Sequence, residues 1–241
     1  MIVVLGEGAA DDPAPALAVG LRRLGEPVVL GAPDTGAPDT GAPRADGLIT
    51  VPCAMASADE VAQALARAQE AAGPIHAVVL VSAGAVATVK GELTALEAAE
   101  WSERVEKPLR RTLACLQGSH RHLRVHGGSL LILLPTLSLV GSAGFAPWAA
   151  VAEAQRALAK SAARAWGPER VTVNCVAVSG ELLASNGAIS PDRPGLPPLS
   201  LATRPDMETD VAAVVASLVT RAWAGVTGAT VAVDGGVWMT P

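Results

Sequence analysis

Short runs of apolar, mostly β-branched residues alternate along this chain with longer stretches rich in alanine and leucine. Such alternation is typical of a parallel sheet whose strands are joined by crossover helices. The predicted strands are Ile2–Leu5, Val28–Leu30, Leu48–Val51, Ala77–Val81, Ser129–Leu134, Val171–Val176 and Thr230–Val233. The predicted helices lie near Ala14–Leu24, Ala58–Ala72, Leu96–Arg124, Trp148–Trp166 and Asp210–Ala224. The pattern therefore predicts a doubly wound α/β fold with helices on both faces of the sheet.

Composition restricts the organisation and the partners of the chain. With 241 residues, 50% of them apolar, it can bury a large core, and we expect one domain over residues 1–241. The net charge is −5, so no basic field is available for nucleic acid or for an anionic membrane. The first residues resemble a buried strand rather than an export signal, which predicts a cytoplasmic protein.

Two segments do not fit a helix or a strand. Residues Gly31–Arg44 contain the tandem repeat Gly-Ala-Pro-Asp-Thr, whose prolines and glycines oppose both structures, and we predict a mobile loop. Residues Gly180–Pro205 form a second stretch rich in Pro, Gly and Ser. Its position after a strand predicts a loop that lies over the binding crevice like a lid.

The chain contains no tyrosine and three lysines, so mechanisms that require a Tyr-Lys couple are excluded. Its three cysteines, Cys53, Cys115 and Cys175, are far apart and lack C-x-x-C spacing. We expect buried, reduced thiols.

Three segments carry a family resemblance. The sequence Val226 to Gly236, Val-Thr-Gly-Ala-Thr-Val-Ala-Val-Asp-Gly-Gly, resembles the closing strand of short-chain dehydrogenases/reductases. Val171-Thr-Val-Asn-Cys-Val-Ala resembles the sixth strand of that family, and Val81-Ser-Ala-Gly84 resembles its Asn-Asn-Ala-Gly turn. The resemblance, which is closest to ketoreductases, implies a seven-stranded Rossmann sheet and an oligomer built on two long helices. It does not by itself imply activity.

The cofactor cradle that the resemblance implies is altered. The family binds a dinucleotide pyrophosphate between a glycine-rich turn and the N-terminus of the first helix. Here Gly6 and Gly8 remain, but Asp11 and Asp12 enter the cradle and would repel a pyrophosphate. The alternative is that Asp12 caps the helix before Pro13, and both interpretations are compatible.

Other cofactor contacts implied by the resemblance are missing. The adenine-binding aspartate position falls on Ala54, and the Pro-Gly pair near the nicotinamide is replaced by Val178-Ser179. Asp34 or Asp39 of the repeat could meet a ribose hydroxyl, and we take this as the weaker interpretation. No cofactor is therefore expected.

The catalytic tetrad of the family is replaced as well. Counting along the fifth strand and the following helix places its serine on Pro135, its tyrosine on Trp148 and its lysine on Ala152. Counting from Trp101 places its asparagine on Pro108. None of these side chains can donate a proton near neutral pH, so no catalytic residue is expected.

A ligand pocket at the family's substrate crevice would be lined by Thr136, Ser138, Trp148 and Ser179. The hydroxyl groups are equally explained as structural. Glu153 and Lys160 lie on the wrong turns of the helix to replace the lysine. No metal is expected. We interpret His120, His122 and His126 as part of a solvated basic surface. An acyl carrier protein could bind to the arginines of the same region, which are Arg110, Arg111, Arg121 and Arg124.

Three functions remain open. The leading hypothesis is a non-catalytic subunit that stabilises an active relative, through helices 96–124 and 148–166, in a homo- or hetero-oligomer. The second helix is rich in alanine and carries its charges on one stripe, which predicts a broad apolar face. The alternative is a cofactor-independent cyclisation or isomerisation in the crevice. The third is an NAD(P)-dependent 3-oxoacyl or polyketide ketoreductase.

Overall fold

A seven-stranded parallel sheet forms the centre of the computed structural model, which describes residues 1–8, 12–33, 47–82, 89–184 and 199–239. The strands are β1 Ile2–Leu5, β2 Val28–Ala32, β3 Ile49–Pro52, β4 Ala77–Val81, β5 Gly128–Pro135, β6 Val171–Val178 and β7 Thr230–Val233. Their order is β3-β2-β1-β4-β5-β6-β7, and every neighbouring pair is parallel. The predicted doubly wound fold is confirmed, with its switch point between β1 and β4.

Helices connect the strands and cover the sheet. They are α1 Ala14–Arg23, α2 Ala58–Ala72, α3 Ala98–Trp101, α4 Lys107–His126, α5 Leu137–Val140, α6 Ala146–Trp166, α7 Gly180–Leu183 and α8 Ala212–Leu218. The predicted long helix from Leu96 begins later, at Ala98, and changes to a π-helical turn at Ser102–Glu106. This turn directly precedes Pro108, which cannot donate a backbone hydrogen bond and so disturbs the regular ladder.

Two apolar clusters lie on opposite faces of the sheet. Val3 and Leu5 of β1 point to the face covered by α2, α4 and α6, whereas Ile2 and Val4 point to the face covered by α1 and α8. All four side chains are fully buried, as expected for a strand covered on both faces. The central strands therefore hold the crevice at their carboxyl ends on a rigid base.

The predicted loops need two corrections. Strand β2 continues to Ala32 because Gly31 and Ala32 pair with β3, so the loop expected from Gly31 begins later. The lid-like segment expected from Gly180 begins with helix α7. Residues 34–44 and 185–198 of these predictions lie outside the described residues. Residues 199–205 are described and form neither helix nor strand, and the N–H groups of Ser200 and Leu201 donate to the Gly235 carbonyl.

Candidate functional site

The carboxyl ends of β1, β4, β5 and β6 define the candidate site, because ligands of doubly wound sheets bind in the crevice at this edge. Gly6 follows β1 and Ser82 follows β4. Pro135 ends β5, and Ser179 follows β6. We call the end at β1, where the resemblance implies the cofactor turn, the cradle end. We call the opposite end, between β5 and α6, where the resemblance implies the proton donor, the acid end.

At the cradle end, the carboxylate of Asp12 fills the turn between β1 and α1. Its Oδ2 accepts a hydrogen bond from the Gly8 N–H at 2.6 Å, and its Oδ1 accepts one from the Ala14 N–H at 2.9 Å. A Cβ atom on Gly6 would lie 2.5 Å from Oδ2, so the turn has no space for a further group there. The structure therefore places Asp12 in the cradle, while the predicted Asp11 lies outside the described residues.

Burial governs the charge of Asp12. Desolvation raises the pKa of this carboxyl above its ordinary value, against the opposing effect of the backbone N–H groups of Ala14, Gly8 and Glu7. The side chain of Glu7 is itself buried, and its Oε2 lies 3.9 Å from Nη1 of Arg111 on α4. Two acidic side chains therefore border the turn.

The fold implies a nicotinamide dinucleotide, and the cradle does not fit one. A pyrophosphate needs the backbone N–H groups at the start of the first helix, and those of Gly8 and Ala14 already bind Asp12. The added negative charge of a dinucleotide would also face that carboxylate.

The expected adenine position, Ala54, lies in a loop that a second carboxylate holds. Glu60 accepts hydrogen bonds from the N–H groups of Ala54 at 2.5 Å and Ala56 at 2.9 Å, and its own N–H donates to Ser57 Oγ at 3.2 Å. Sequence reasoning missed Glu60. The Ser-x-x-Glu spacing of a helix capping box, Ser57 to Glu60, was the signal that could have found it.

At the acid end, Trp148, which the sequence predicts at the position of the family's tyrosine, is 2% exposed. Its ring lies 6.4 Å from that of Phe145, tilted by 59°, and both belong to the apolar cluster on the α1 side of the sheet. Trp148, which the sequence analysis included in a ligand pocket, is therefore packed in the core. Burial of a large aromatic surface explains the difference.

The other three residues that the sequence predicts at tetrad positions are also buried. Ala152 is fully buried, and Pro135 pairs with Val178 across β5 and β6. Pro108 is buried in the first turn of α4, where its carbonyl accepts a hydrogen bond from Thr112 Oγ1 at 3.0 Å.

A buried polar network, which sequence reasoning missed, links three elements next to these positions. Gln155 on α6 donates to Ser82 Oγ and to Thr112 Oγ1, both at 2.8 Å. All three side chains are at most 4% exposed. The signal was a lone glutamine on the otherwise apolar buried face of α6. Because its donors are used, the network connects β4, α4 and α6 rather than offering groups to a ligand.

The remaining predicted pocket residues do not converge on a ligand space. Thr136 is buried and its hydroxyl donates to the Val178 carbonyl at 3.1 Å, while Ser138 donates to the Pro135 carbonyl at 3.1 Å. Both hydroxyls thus satisfy main-chain carbonyls. Ser179 is partly exposed at the start of α7.

The three histidines that we expected on a solvated surface are only partly exposed. His120 stacks on Trp166 with ring centroids 4.5 Å apart and pairs with Glu169. His122 Nε2 lies 2.9 Å from the Ala62 carbonyl oxygen, and of these three side chains only His126 is fully exposed. Among the described residues, no group of three or more His, Cys, Asp or Glu could hold a metal ion.

The three cysteines are buried and free, as predicted. Burial raises the pKa of Cys53 to about 11 and the pKa values of Cys115 and Cys175 to about 12. None of these thiols supplies a thiolate nucleophile near neutral pH.

Comparisons with known proteins agree on the family. A family model described as enoyl-(acyl carrier protein) reductase matches residues 14–238. The chain is 31% identical over 143 residues to the 3-oxoacyl-(acyl-carrier-protein) reductase FabG of Staphylococcus aureus strains Mu50 and MW2, covering 58% of the chain. It spans the same share, 58%, of the length of these curated relatives.

Solved structures share the fold. A short-chain type dehydrogenase/reductase from Mycobacterium ulcerans is 22% identical, with a TM-score of 0.77, over 98% of this chain and 88% of that chain. Sorbitol-6-phosphate 2-dehydrogenase SrlD from Erwinia amylovora is 16% identical, with a TM-score of 0.77, over 100% of both chains. Among the helices described here, none is long and apolar enough to cross a membrane.

Proposed function

The chain belongs to the short-chain dehydrogenase/reductase family, and we propose that it is a non-reducing member that associates with an intact ketoreductase as a stabilising subunit. The observation that carries the proposal is the acid end. Trp148 and Ala152, which the sequence predicts at the positions of the family's tyrosine and lysine, are core side chains without a proton that can be transferred near neutral pH. The sequence contains no tyrosine elsewhere that could replace it.

Association would use α4 and α6. The exposed side of α6 is formed mainly by small and charged residues, among them Ala157, Ser161 and Arg164. On α4, Leu113 is 45% exposed between Arg110 and Gln117. Small side chains permit close helix approach, but the exposed surface is more polar than the broad apolar face that we expected. This mixed character suits a partner of complementary charge better than a wholly apolar one.

Charge substitution on the exposed side of α6 tests the association. We expect light scattering at micromolar concentration to report an oligomer that Ala157→Arg dissociates without loss of folded structure. Ala224→Arg, which changes an exposed alanine away from both helices, should leave the oligomer intact. Tagged wild-type chain should also retain a family reductase with an intact Ser-Tyr-Lys set from its source cell. A monomer that retains no such reductase contradicts the proposal.

Reduction of a 3-oxoacyl substrate is the second candidate, because the chain resembles reductases whose names include that activity. An acyl carrier protein would then be a partner. Of the arginines considered for that contact, Arg121 pairs with Asp59 and Arg111 approaches Glu7. Arg110 and Arg124 are exposed.

An assay of NADPH oxidation with a 3-oxoacyl thioester separates the two candidates. We expect no consumption above background by the wild type or by the double variant Trp148→Tyr with Ala152→Lys, because proton transfer requires a cofactor held in place. An active S. aureus FabG serves as the positive control. Steady consumption by the wild type would establish the reductase, and consumption by the double variant alone would show that the cradle accepts cofactor.

A further inference from the structure

The residue at the cap position of α1 does not bind the free backbone N–H groups at the start of the helix. Pro13 stands at the cap position and offers no side-chain hydrogen bond, and the first turn contains no acidic residue. Asp12, one residue earlier, supplies the carboxylate, and it binds N–H groups on both sides of the turn, at Gly8 and Ala14. A helix N-terminus attracts negative charge, and in this fold that place belongs to a phosphate.

We infer that the Asp12 carboxylate is an internal substitute for the bound phosphate group, so that the chain closes its own anion site. The inference concerns the wild-type ground state and does not depend on association with a partner.

The shape of the turn supports this assignment. Gly8 has a φ of +71°, and a Cβ there would lie 2.6 Å from Pro33, so the turn keeps the close backbone packing that glycine permits. The space beside Gly6 is taken by Asp12, since a Cβ on Gly6 would meet its Oδ2 at 2.5 Å. The turn thus keeps the glycines of an anion cradle, and a side chain of the same chain occupies it.

Covalent attachment makes this occupant hard to displace. A group tethered by a short segment competes at effective concentrations on the order of millimolar or higher. A free phosphate or a dinucleotide would have to displace the carboxylate and also approach the buried Glu7. The wild type should therefore not bind inorganic pyrophosphate at this turn, whereas a variant without the Asp12 carboxylate should bind it.

Chemical rescue of Asp12→Ala tests the inference. We expect its thermal midpoint to fall by about 2–4 °C, the shift that loss of one cap causes in a chain of this size. Millimolar pyrophosphate should restore the midpoint saturably, while sodium chloride at matched ionic strength should not. The wild type should shift by less than about 1 °C, since a ligand stabilises only a site that it can enter.

Asp206→Ala is the matched control. Asp206 also caps a helical segment, through the N–H groups of Glu208 and Thr209, but it lies before Met207–Val211 and not beside the glycines that follow β1. This variant should lose stability and should not regain it with pyrophosphate. The midpoint requires no enzymatic turnover, so failure here is distinct from failure of the proposed function.

Three results would overturn the inference: saturable stabilisation of the wild type by pyrophosphate, an unchanged midpoint of Asp12→Ala, or equal rescue of Asp206→Ala. Should Asp12→Ala not fold, Asp12→Asn keeps the side-chain shape and removes the charge. We then expect pyrophosphate to raise the midpoint of Asp12→Asn more than that of the wild type. Equal shifts in the two proteins contradict the inference.

Discussion

The two ends of the crevice are occupied in different ways. At the cradle end, the glycine turn and the backbone donors at α1 are present, and one carboxylate, Asp12, occupies them. At the acid end, the buried Trp148 and the hydrogen-bonded network around Gln155 both belong to the core. The cradle end is therefore occupied by one carboxylate, whereas the acid end is filled by packed side chains.

This difference has an energetic consequence. Removal of a capping carboxylate costs about 1 kcal/mol and leaves the backbone of the turn in place. Removal of a large buried aromatic ring leaves a cavity that the surrounding structure fills only in part. We expect single substitutions to change ligand access at the cradle with little loss of stability. At the acid end, we expect a single substitution to lower stability more than it changes ligand access.

The largest effect is expected for Trp148→Ala. Because this indole is 2% exposed and packs with Phe145, its loss should lower the free energy of unfolding by about 3–5 kcal/mol in urea titrations. Trp101→Ala, at a tryptophan that is 37% exposed, is the control and should cost far less. A loss below about 1 kcal/mol at Trp148 would mean that the acid end is not part of the core.

Gln155→Leu tests the polar network and should have an intermediate effect. The substitution leaves the hydroxyls of Ser82 and Thr112 without their amide donor in a buried place, which costs about 1–3 kcal/mol of unfolding free energy. Gln117→Leu, on the exposed side of α4, should change stability by no more than about 0.5 kcal/mol. Equal effects at the two glutamines would show that the buried hydrogen bonds contribute nothing.

Much of the fold was predictable because its strands are covered on both faces and therefore appear as continuous apolar runs. Strands β1 and β4 have the predicted limits. The region before α4 was less predictable, since the π-helical turn at Ser102–Glu106 depends on how Pro108 is accommodated against the core. The ends of β5 and β6 were also missed, because Pro135 was not expected within a strand.

The site was predictable where it depended on spacing and unpredictable where it depended on distant contacts. Counting placed Asp12 in the cradle and Trp148 at the tyrosine position, but it could not show that a carboxylate binds two N–H groups or that an indole is buried. The Gln155 network joins residues 73 and 43 positions apart, and local sequence contains no trace of such a pairing. For the same reason, the stacking of His120 on Trp166 was not foreseen.

The smallest expected effect is a pH dependence that belongs to the cradle end alone. Burial raises the pKa of Asp12 in the folded chain above its ordinary value of 3.8, so the folded state holds this proton more tightly than the unfolded state. The part of the stability that depends on protonation of this group is therefore complete below about pH 3.8 and is lost as the pH rises through the higher folded value, while the hydrogen bonds to Gly8 and Ala14 remain. Asp12→Asn lacks this titration, while Glu7 and Arg111 remain in both proteins. The advantage of the wild type over Asp12→Asn in unfolding free energy should thus shrink with rising pH and then become constant.

Urea titrations from pH 3.5 upward, at steps of about half a unit, measure the difference. The same subtraction for Asp206→Asn provides the background. A difference that instead grows with pH would mean that the hydrogen bonds from the N–H groups of Gly8 and Ala14 outweigh burial in setting the pKa of Asp12.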